Sequence, residues 1–432
     1  MLVAMLVGSV TTANAAVPNT DRASLTSSGG QANGNSPDLT EGESASISVH
    51  GRYVAFTSLA SNLVGGDSNG VVDVFVRDRK TGTTQRVSVS SEGEQANGAS
   101  NMPSISATGR YVAFASAASN LVKRDTNGRG DVFVHDRVTG KTVRVSLRMD
   151  GGQANNYSYD PSISADGLQV AFVSAATNLV VGDTNLDQDV FVRNLADKTT
   201  ERVSVSSSGE QTNVGRRSLH PSISADGRYV AFDSEANNLV DDDPTLNSFN
   251  VYVHDRVSGT TEINDPYLSH IGTEFQYIEG GGFPSISANG RYVAYHLFAA
   301  DVDGVRGTHV YLDDLATHTT VRVSQSANGE RGNGGSAAAT VSDDGRYVAF
   351  PSDASNLITS DTNNETDIFR WDRVTGVIRR ISVSTNGAEA NGGSAGSGIS
   401  GDGLHVAFGS YATNLVAGDT NDHADVFVRN LG

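Results

Sequence analysis

Apolar residues along this chain come in short packets that return at a nearly fixed interval. The block Tyr53-Val54-Ala55-Phe56 recurs, as x-V-A-F or x-V-A-Y, beginning at Tyr111, Gln169, Tyr229, Tyr292, Tyr347 and His405. The successive spacings are 58, 58, 60, 63, 55 and 58 residues. A period of this size marks a repeat architecture, in which each unit is one supersecondary element. Around every packet the order is constant: a Ser-Ile-Ser-like segment such as Ser104-Ile105-Ser106, a Gly turn, the packet, and an Asn-Leu-Val with an Asp-rich loop. Asp-Val-Phe-Val, a Thr-Gly turn, an Arg-Val-Ser-Leu segment and a Gly/Gln/Asn loop then close the unit. Short β-rich runs bounded by Gly, Asn and Asp predict four antiparallel strands per unit.

The packets are apolar on both faces: Val112 and Phe114 point one way, Tyr111 and Ala113 the other. Side chains alternate along a strand, so each small sheet must be covered on both sides. A radial stack of four-stranded blades meets that demand, whereas the coils of a parallel β-solenoid are shorter and lack antiparallel turns. The fold expected is an all-β, seven-bladed β-propeller. The seventh copy stops at Asp425-Val426-Phe427-Val428, before a fourth strand, while Arg22-Ala23-Ser24-Leu25 at the other end matches Arg86-Val87-Ser88-Val89. The N-terminal strand should therefore complete the last blade beside Val426–Val428, leaving no unpaired edge there. Residues 16–432 then read as one propeller domain.

The segments Ser164-Ala165-Asp166-Gly167 before Val170-Ala171-Phe172, and Ser224-Ala225-Asp226-Gly227-Arg228-Tyr229-Val230-Ala231-Phe232, resemble the S-x-D-G-x-x-V-A-F element of TolB-like propeller repeats. The resemblance spans every blade. It implies that Asp-Gly makes a hairpin turn and that V-A-F packs between blades, and it assigns no activity. The chain departs from that family in having seven units where six are usual and in a longer loop between second and third strands.

Composition narrows the setting. Thirty-one Lys and Arg against 49 Asp and Glu leave a formal charge of −18, which a phosphate backbone would repel, so nucleic acid is not an expected partner. With no cysteine, disulfides, thiolate catalysis and Cys-bound zinc are excluded. Leu2 to Val10 is an apolar run followed by Ala13-Asn14-Ala15, the shape of a secretory signal with cleavage after Ala15, although no Lys or Arg precedes the run. It is too short to span a bilayer, which takes about 20 apolar residues. The expectation is a secreted or cell-envelope monomer without a membrane span.

The Asp-rich loops carry the sharpest chemical signal. Asp67/Asn69/Asp73 recur as Asp125/Asn127/Asp131, Asp183/Asn185/Asp189, Asp361/Asn363/Asp367 and Asp419/Asn421/Asp425. Asp, Asn and Asp at positions 1, 3 and 7 supply part of the oxygen shell that Ca²⁺ takes, without the Glu that closes a twelve-residue calcium loop. The alternative is that these residues cap turns and start the third strand. Arg86, Arg144, Arg202, Arg322 and Arg380 are expected to open the outer strand and to pair with Asp78, Asp136 and their equivalents. The repeated Asn62, Asn120 and Asn178 are expected to satisfy loop backbone, and Trp371, the one tryptophan, to lie in a core strand.

One stretch breaks the repeat. From Asn264 to Phe283 the usual loop gives way to Tyr267, His270, Phe275 and Tyr277, and the next unit adds His296. Aromatic rings and histidine on a loop offer contacts to a protein or a glycan, so these five residues are the candidate ligand site. No repeated Ser lies near a repeated His, which removes a serine triad, and no catalytic residue is assigned. Three readings remain: a non-catalytic binding module for a protein or glycan, with calcium as a structural ion; an enzyme of the polysaccharide-lyase or lactonase kind; and a structural envelope protein. An enzyme would gather its His, Tyr, Arg and acids on one side of the channel mouth.

Overall fold

In the computed structural model every apolar packet is the second strand of a four-stranded antiparallel sheet, and seven such sheets stand in a ring, a seven-bladed β-propeller. The structure describes residues 18–37, 45–241, 248–264, 275–301 and 306–432, and none of these is helical. Blade 1 shows the plan: an inner strand Ser46–Ile47, a second Tyr53–Ser58, a third Asp73–Asp78 and an outer strand Thr83–Arg86. The middle strands pair residue for residue, which sets Phe56 opposite Phe75 with ring centroids 6.0 Å apart.

Each blade has a small face and a large one. Ala55, Val74 and Val76 of blade 1 pack against Val112, Phe114 and Phe133 of blade 2, and the same Ala-Val-Val on Val-Phe-Phe contact repeats between blades 2 and 3. Blade 7 offers Ala407, Val426 and Val428 to Val54, Phe56 and Phe75 of blade 1, so the last interface matches the others. These side chains are fully buried, and truncating one such Phe to Ala costs about 3–5 kcal/mol. Trp371 lies in the third strand of blade 6 and joins its core.

The outer strand of blade 7 (Ser394–Ile399, His405–Ser410, Asp425–Asn430) is the N-terminal segment Asn19–Arg22, running antiparallel with Arg22 opposite Phe427 and Asp21 opposite Val428. Closure is therefore as expected, with one correction to the strand limits. The outer strand is the Thr-rich run, and its Arg is the last residue, not the first: Thr83–Arg86, Lys141–Arg144 and Asn19–Arg22. Beyond Arg22 the chain turns inward. The Ala23 N–H still reaches Val426 O at 2.7 Å, but Ser24 Oγ is drawn to Asp425 Oδ1 at 2.5 Å.

The Asp-Gly turn glycines owe their conservation between copies to the neighbouring blade. Gly167, after Asp166, has φ +78°, and a Cβ there would stand 2.2 Å from Cδ2 of Tyr111, the packet tyrosine of the preceding blade. Left-handed backbone and close approach together leave room for no other residue. The turn Asn residues work as expected: Asn62 Oδ1 accepts from Asn33 N–H at 3.1 Å and its amide donates to Gln31 O at 2.8 Å, stitching blade 7 to blade 1.

Candidate functional site

The Asp-rich loops enclose a cation supplied by the chain itself. Arg86 Nη1 lies 3.1 Å from Asp67 Oδ1 and 3.4 Å from Asp73 Oδ2, while Asn69 donates its amide to Asp73 at 2.8 Å and Ser88 Oγ to the other oxygen at 2.5 Å. The constellation repeats with Arg144 on Asp125 and Asp131, Arg202 on Asp183 and Asp189, Arg380 on Asp361 and Asp367, and Arg22 on Asp419 and Asp425. These arginines do not bind Asp78 or Asp136, the partners expected of them. Those two are held bidentately by Arg52 and Arg110, and the Arg52 hydrogen bond keeps the Asp78 carboxyl down at about 2. Asn69, Asn127, Asn185, Asn363 and Asn421 turn their amide nitrogens, not their oxygens, toward the last carboxylate of the loop. Burial pushes the Asp125 carboxyl up and that of Asp183 up to about 6, against the pull of Arg144 and Arg202. Blade 4 corroborates the pairing, for there both partners change at once: Asn250 stands where the last Asp would be and Ile263 where the Arg would be. Among the described residues no group of three or more His, Asp or Glu is gathered as a metal site requires.

The chemically varied part of the ring is the mouth of the central channel, a space of about 570 Å³ walled by the inner strands. Among the described residues, the inner strands of blades 2 to 7 carry a left-handed residue two places before the inner Ser, which is Thr340 in blade 6 and Gly398 in blade 7. In blades 2 to 5 this residue lies just ahead of a proline at a β-bulge. The bulge residues Met102, Asp160, His220, Phe283 and Ala338 have φ between +46° and +52°, and Gly396 takes the same place in blade 7. A bulge re-aims one side chain, and a non-glycine residue held left-handed costs about 1–3 kcal/mol, strain that tends to mark functional positions. The occupants are far from equivalent. Blades 3, 4 and 5 carry Asp, His and Phe; blades 6 and 7 carry Ala and Gly.

The second strands add to the same side. At the position two beyond the packet Ala, blades 4 and 5 alone bear ionisable groups, Asp233 and His296. Asp233 is buried and its Oδ2 receives His220 Nδ1 at 2.8 Å and Phe283 N–H at 2.9 Å. Gly282 makes this possible, since a Cβ there would come within 2.8 Å of the same oxygen. The Phe283 ring stacks on His220 at 3.7 Å and on His296 at 5.4 Å. Burial pulls the His220 imidazole down, but the Asp233 hydrogen bond and the charges of Asp233 and Asp160 outweigh it, so the net shift is upward. His296 moves the other way, down to about 4, because burial dominates. Burial likewise pushes the Asp160 carboxyl up, with the His220 charge opposing and Asp233 adding to the rise. Asp233 Oδ1 and His296 Nδ1 are buried with no hydrogen-bond partner.

Beside this cluster a cleft of about 310 Å³ opens between blades 4 and 5, lined by Arg217, Leu219, Phe249 and Phe298 as well as the residues just named. Arg217 donates to Glu235 at 3.0 Å and lies over the Phe249 ring at 5.4 Å. Phe283 and Phe298 remain 47% and 37% exposed, so the cleft presents aromatic faces to solvent.

Of the five residues proposed from sequence as the ligand site, only His296 reaches this cluster among the described side chains. Tyr267 and His270 lie outside the described residues, as do the side chains of Phe275 and Tyr277, whose backbone belongs to the inner strand of blade 5 (Phe275–Ile286). Asp160, His220, Asp233 and Arg217 were not anticipated. Their trace in the sequence is substitution at repeat positions that are apolar or small in other copies.

Comparison with known proteins agrees on the fold. No protein-family model and no curated protein sequence matches the chain. Among solved structures, an oligogalacturonate lyase in complex with manganese aligns over 96% of this chain and 96% of its own, at 12% identity and a TM-score of 0.55. The oligogalacturonate lyase of Vibrio parahaemolyticus aligns over 96% and 91%, at 10% identity and a TM-score of 0.52. TolB from Acinetobacter baumannii aligns over 88% and 80%, at 11% identity and a TM-score of 0.41. At such identities the likeness to the two lyases, whose TM-scores exceed 0.5, is one of architecture alone.

Proposed function

We propose that this protein is an exported propeller that binds a glycan at the blade 4–5 side of its channel mouth. The observation that supports the reading most directly is a pair of buried polar atoms without partners, Asp233 Oδ1 and His296 Nδ1, set beside half-exposed aromatic rings in one cleft. A buried polar group left unpaired costs about 1–3 kcal/mol, a penalty that a ligand hydroxyl removes. Aromatic faces next to such groups suit a sugar ring, which is apolar across its C–H face and polar at its rim. Export rests on the N-terminal apolar run and Ala-x-Ala motif. The test is a glycan array probed with the protein, followed by calorimetry on the tightest binder. Asp233→Asn and His296→Gln should each weaken binding by about tenfold or more, as expected for one lost buried hydrogen bond of about 1.4 kcal/mol. An array without binders ends this reading.

A second reading, turnover of the bound glycan, has one observation in its favour. His220 and His296 flank a single ring with their pKa values pushed apart, so one imidazole holds its proton to higher pH while the other stays neutral. Pairs separated in this way are how proteins assign acid and base roles. Mass spectrometry of the bound glycan after prolonged incubation decides between the readings: intact glycan leaves a binder, and fragments that vanish in His296→Gln make it an enzyme.

A further inference from the structure

The cleft is flanked by a feature that the binding reading does not use. Tyr157 and Tyr159, at the start of the blade 3 inner strand, stand with ring centroids 5.9 Å apart. One side chain locks both: Gln188 accepts from Tyr159 Oη at 3.1 Å and donates its amide to Tyr157 Oη at 2.8 Å. Gln188 comes from the Asp-rich loop of the same blade, where Asp187 Oδ1 accepts its N–H at 2.8 Å. The other described copies have no aromatic residue there: the residues matching Tyr157 are Asn35, Ala99, Arg217, Gly280, Gly335 and Gly393. Tyr157 is 38% exposed, so an immobilised aromatic face is presented to solvent. Burial pushes the Tyr159 phenol up to about 12, with Asp160, Tyr157 and Asp233 adding and Arg217 opposing, which places this pair in the electrostatic reach of the cleft.

Resting on the glycan reading, we infer that Tyr157, Tyr159 and Gln188 form a second subsite, so that the ligand is an extended, uncharged glycan chain whose neighbouring sugar stacks on Tyr157. The extension follows from two aromatic surfaces on adjacent blades, one at the Phe283 cleft and one at Tyr157, with Arg217 between them already committed to Glu235 and Phe249. A ring fixed before binding loses little freedom when a sugar arrives, which is the advantage of preorganisation. The absence of charge follows from the carboxylates nearby. Asp160, Asp233 and Glu235 are set against Arg217 and His220 on a molecule of net charge −18, so a uronate chain meets acidic groups in the cleft and an acidic surface around it.

The experiment measures affinity by calorimetry against a homologous series, from one sugar unit upward, of the neutral glycan that binds tightest on the array. Wild-type protein should gain about tenfold when the chain grows past the first cleft, the scale of one aromatic stack. Tyr157→Ala should abolish that gain while leaving the shortest ligand bound as before, and Tyr157→Phe should keep most of it. Because Tyr157 is exposed, neither variant threatens the fold, and far-UV circular dichroism checks this. A length dependence that survives Tyr157→Ala overturns the second subsite and leaves the glycan reading standing; oligogalacturonate as the tightest binder overturns the claim of an uncharged chain. No binder on the array overturns the glycan reading itself, and this inference falls with it.

Discussion

His220 shows how one residue position changes character with its blade. In blade 2 the equivalent place is Met102 and in blade 6 Ala338, each with the same left-handed backbone. In blade 4 that backbone delivers an imidazole to a buried carboxylate, and the Asp233 contact holds its proton to higher pH than an ordinary histidine. The consequence for stability has a definite sign. The His220–Asp233 interaction contributes in full below the unfolded value of about 6.5 and is lost as pH rises through the higher folded midpoint. We expect an NMR titration of the imidazole Cε1 to give a midpoint above 6.5 that falls in Asp233→Asn, where only the Asp160 charge is left to oppose burial and Arg217. His296 should stay neutral down to about 4 in both proteins. A His220 midpoint indifferent to Asp233→Asn would show that the two groups are uncoupled. None of this was legible in the residue pattern, because period-two alternation cannot foresee a bulge that turns a single side chain into the channel.

At the level of strands and loops the sequence was read more successfully, and its errors have physical causes. The x-V-A-F and Asp-Val-Phe-Val strands stand where the period put them, since apolar packets on both faces admit no other burial. The outer strand is displaced because Arg-Val-Ser resembles a strand while Thr-Gly-Lys-Thr resembles a turn; the ladder in fact follows the threonines, and Arg144 ends it to reach Asp125. That single displacement altered the meaning of the acidic loops. Three oxygens in calcium-like spacing invite a divalent ion, but the invitation ignores an arginine that lies 19 residues further along, Arg86 after Asp67. A divalent ion entering these loops would have to expel a buried guanidinium from two carboxylates, an unfavourable exchange where desolvation is already costly. The melting temperature should accordingly shift by under about 1 °C between excess chelator and millimolar Ca²⁺, since a ligand bound only to the folded state must raise stability. A rise of several degrees would restore calcium to the loops.

For the ring as a whole, the joint in blade 7 closes in the topology expected, on a strand that ends at Arg22 where it was expected to begin. The missing strand of the last copy was legible as a surplus strand in the first, and the structure pairs Asn19–Arg22 with Phe427–Asn430. Arg22 has a second duty there, because it neutralises Asp419 and Asp425 with its side chain only 4% exposed. Replacing it by Ala leaves two buried carboxylates without their counter-charge, a change worth about 3–5 kcal/mol. Arg52, whose side chain is 41% exposed on Asp78, should cost far less when replaced, because solvent screens such a pair. Urea unfolding of Arg22→Ala and Arg52→Ala measures the contrast, and equal losses would mean that the joint is no more important than any surface pair.

The joint also sets a schedule. Thr20 accepts a hydrogen bond from Arg429, 409 positions away, so this contact has to wait until Arg429 itself has been made. A chain emerging from a ribosome or a translocon can stack its early wedges as they appear, yet its opening segment has to stay unengaged until the final one arrives. Whatever accompanies this protein during synthesis therefore guards a single waiting ribbon and the open flank it is meant to fill. Should the ribbon of another copy arrive first, the same geometry would make an exchanged dimer.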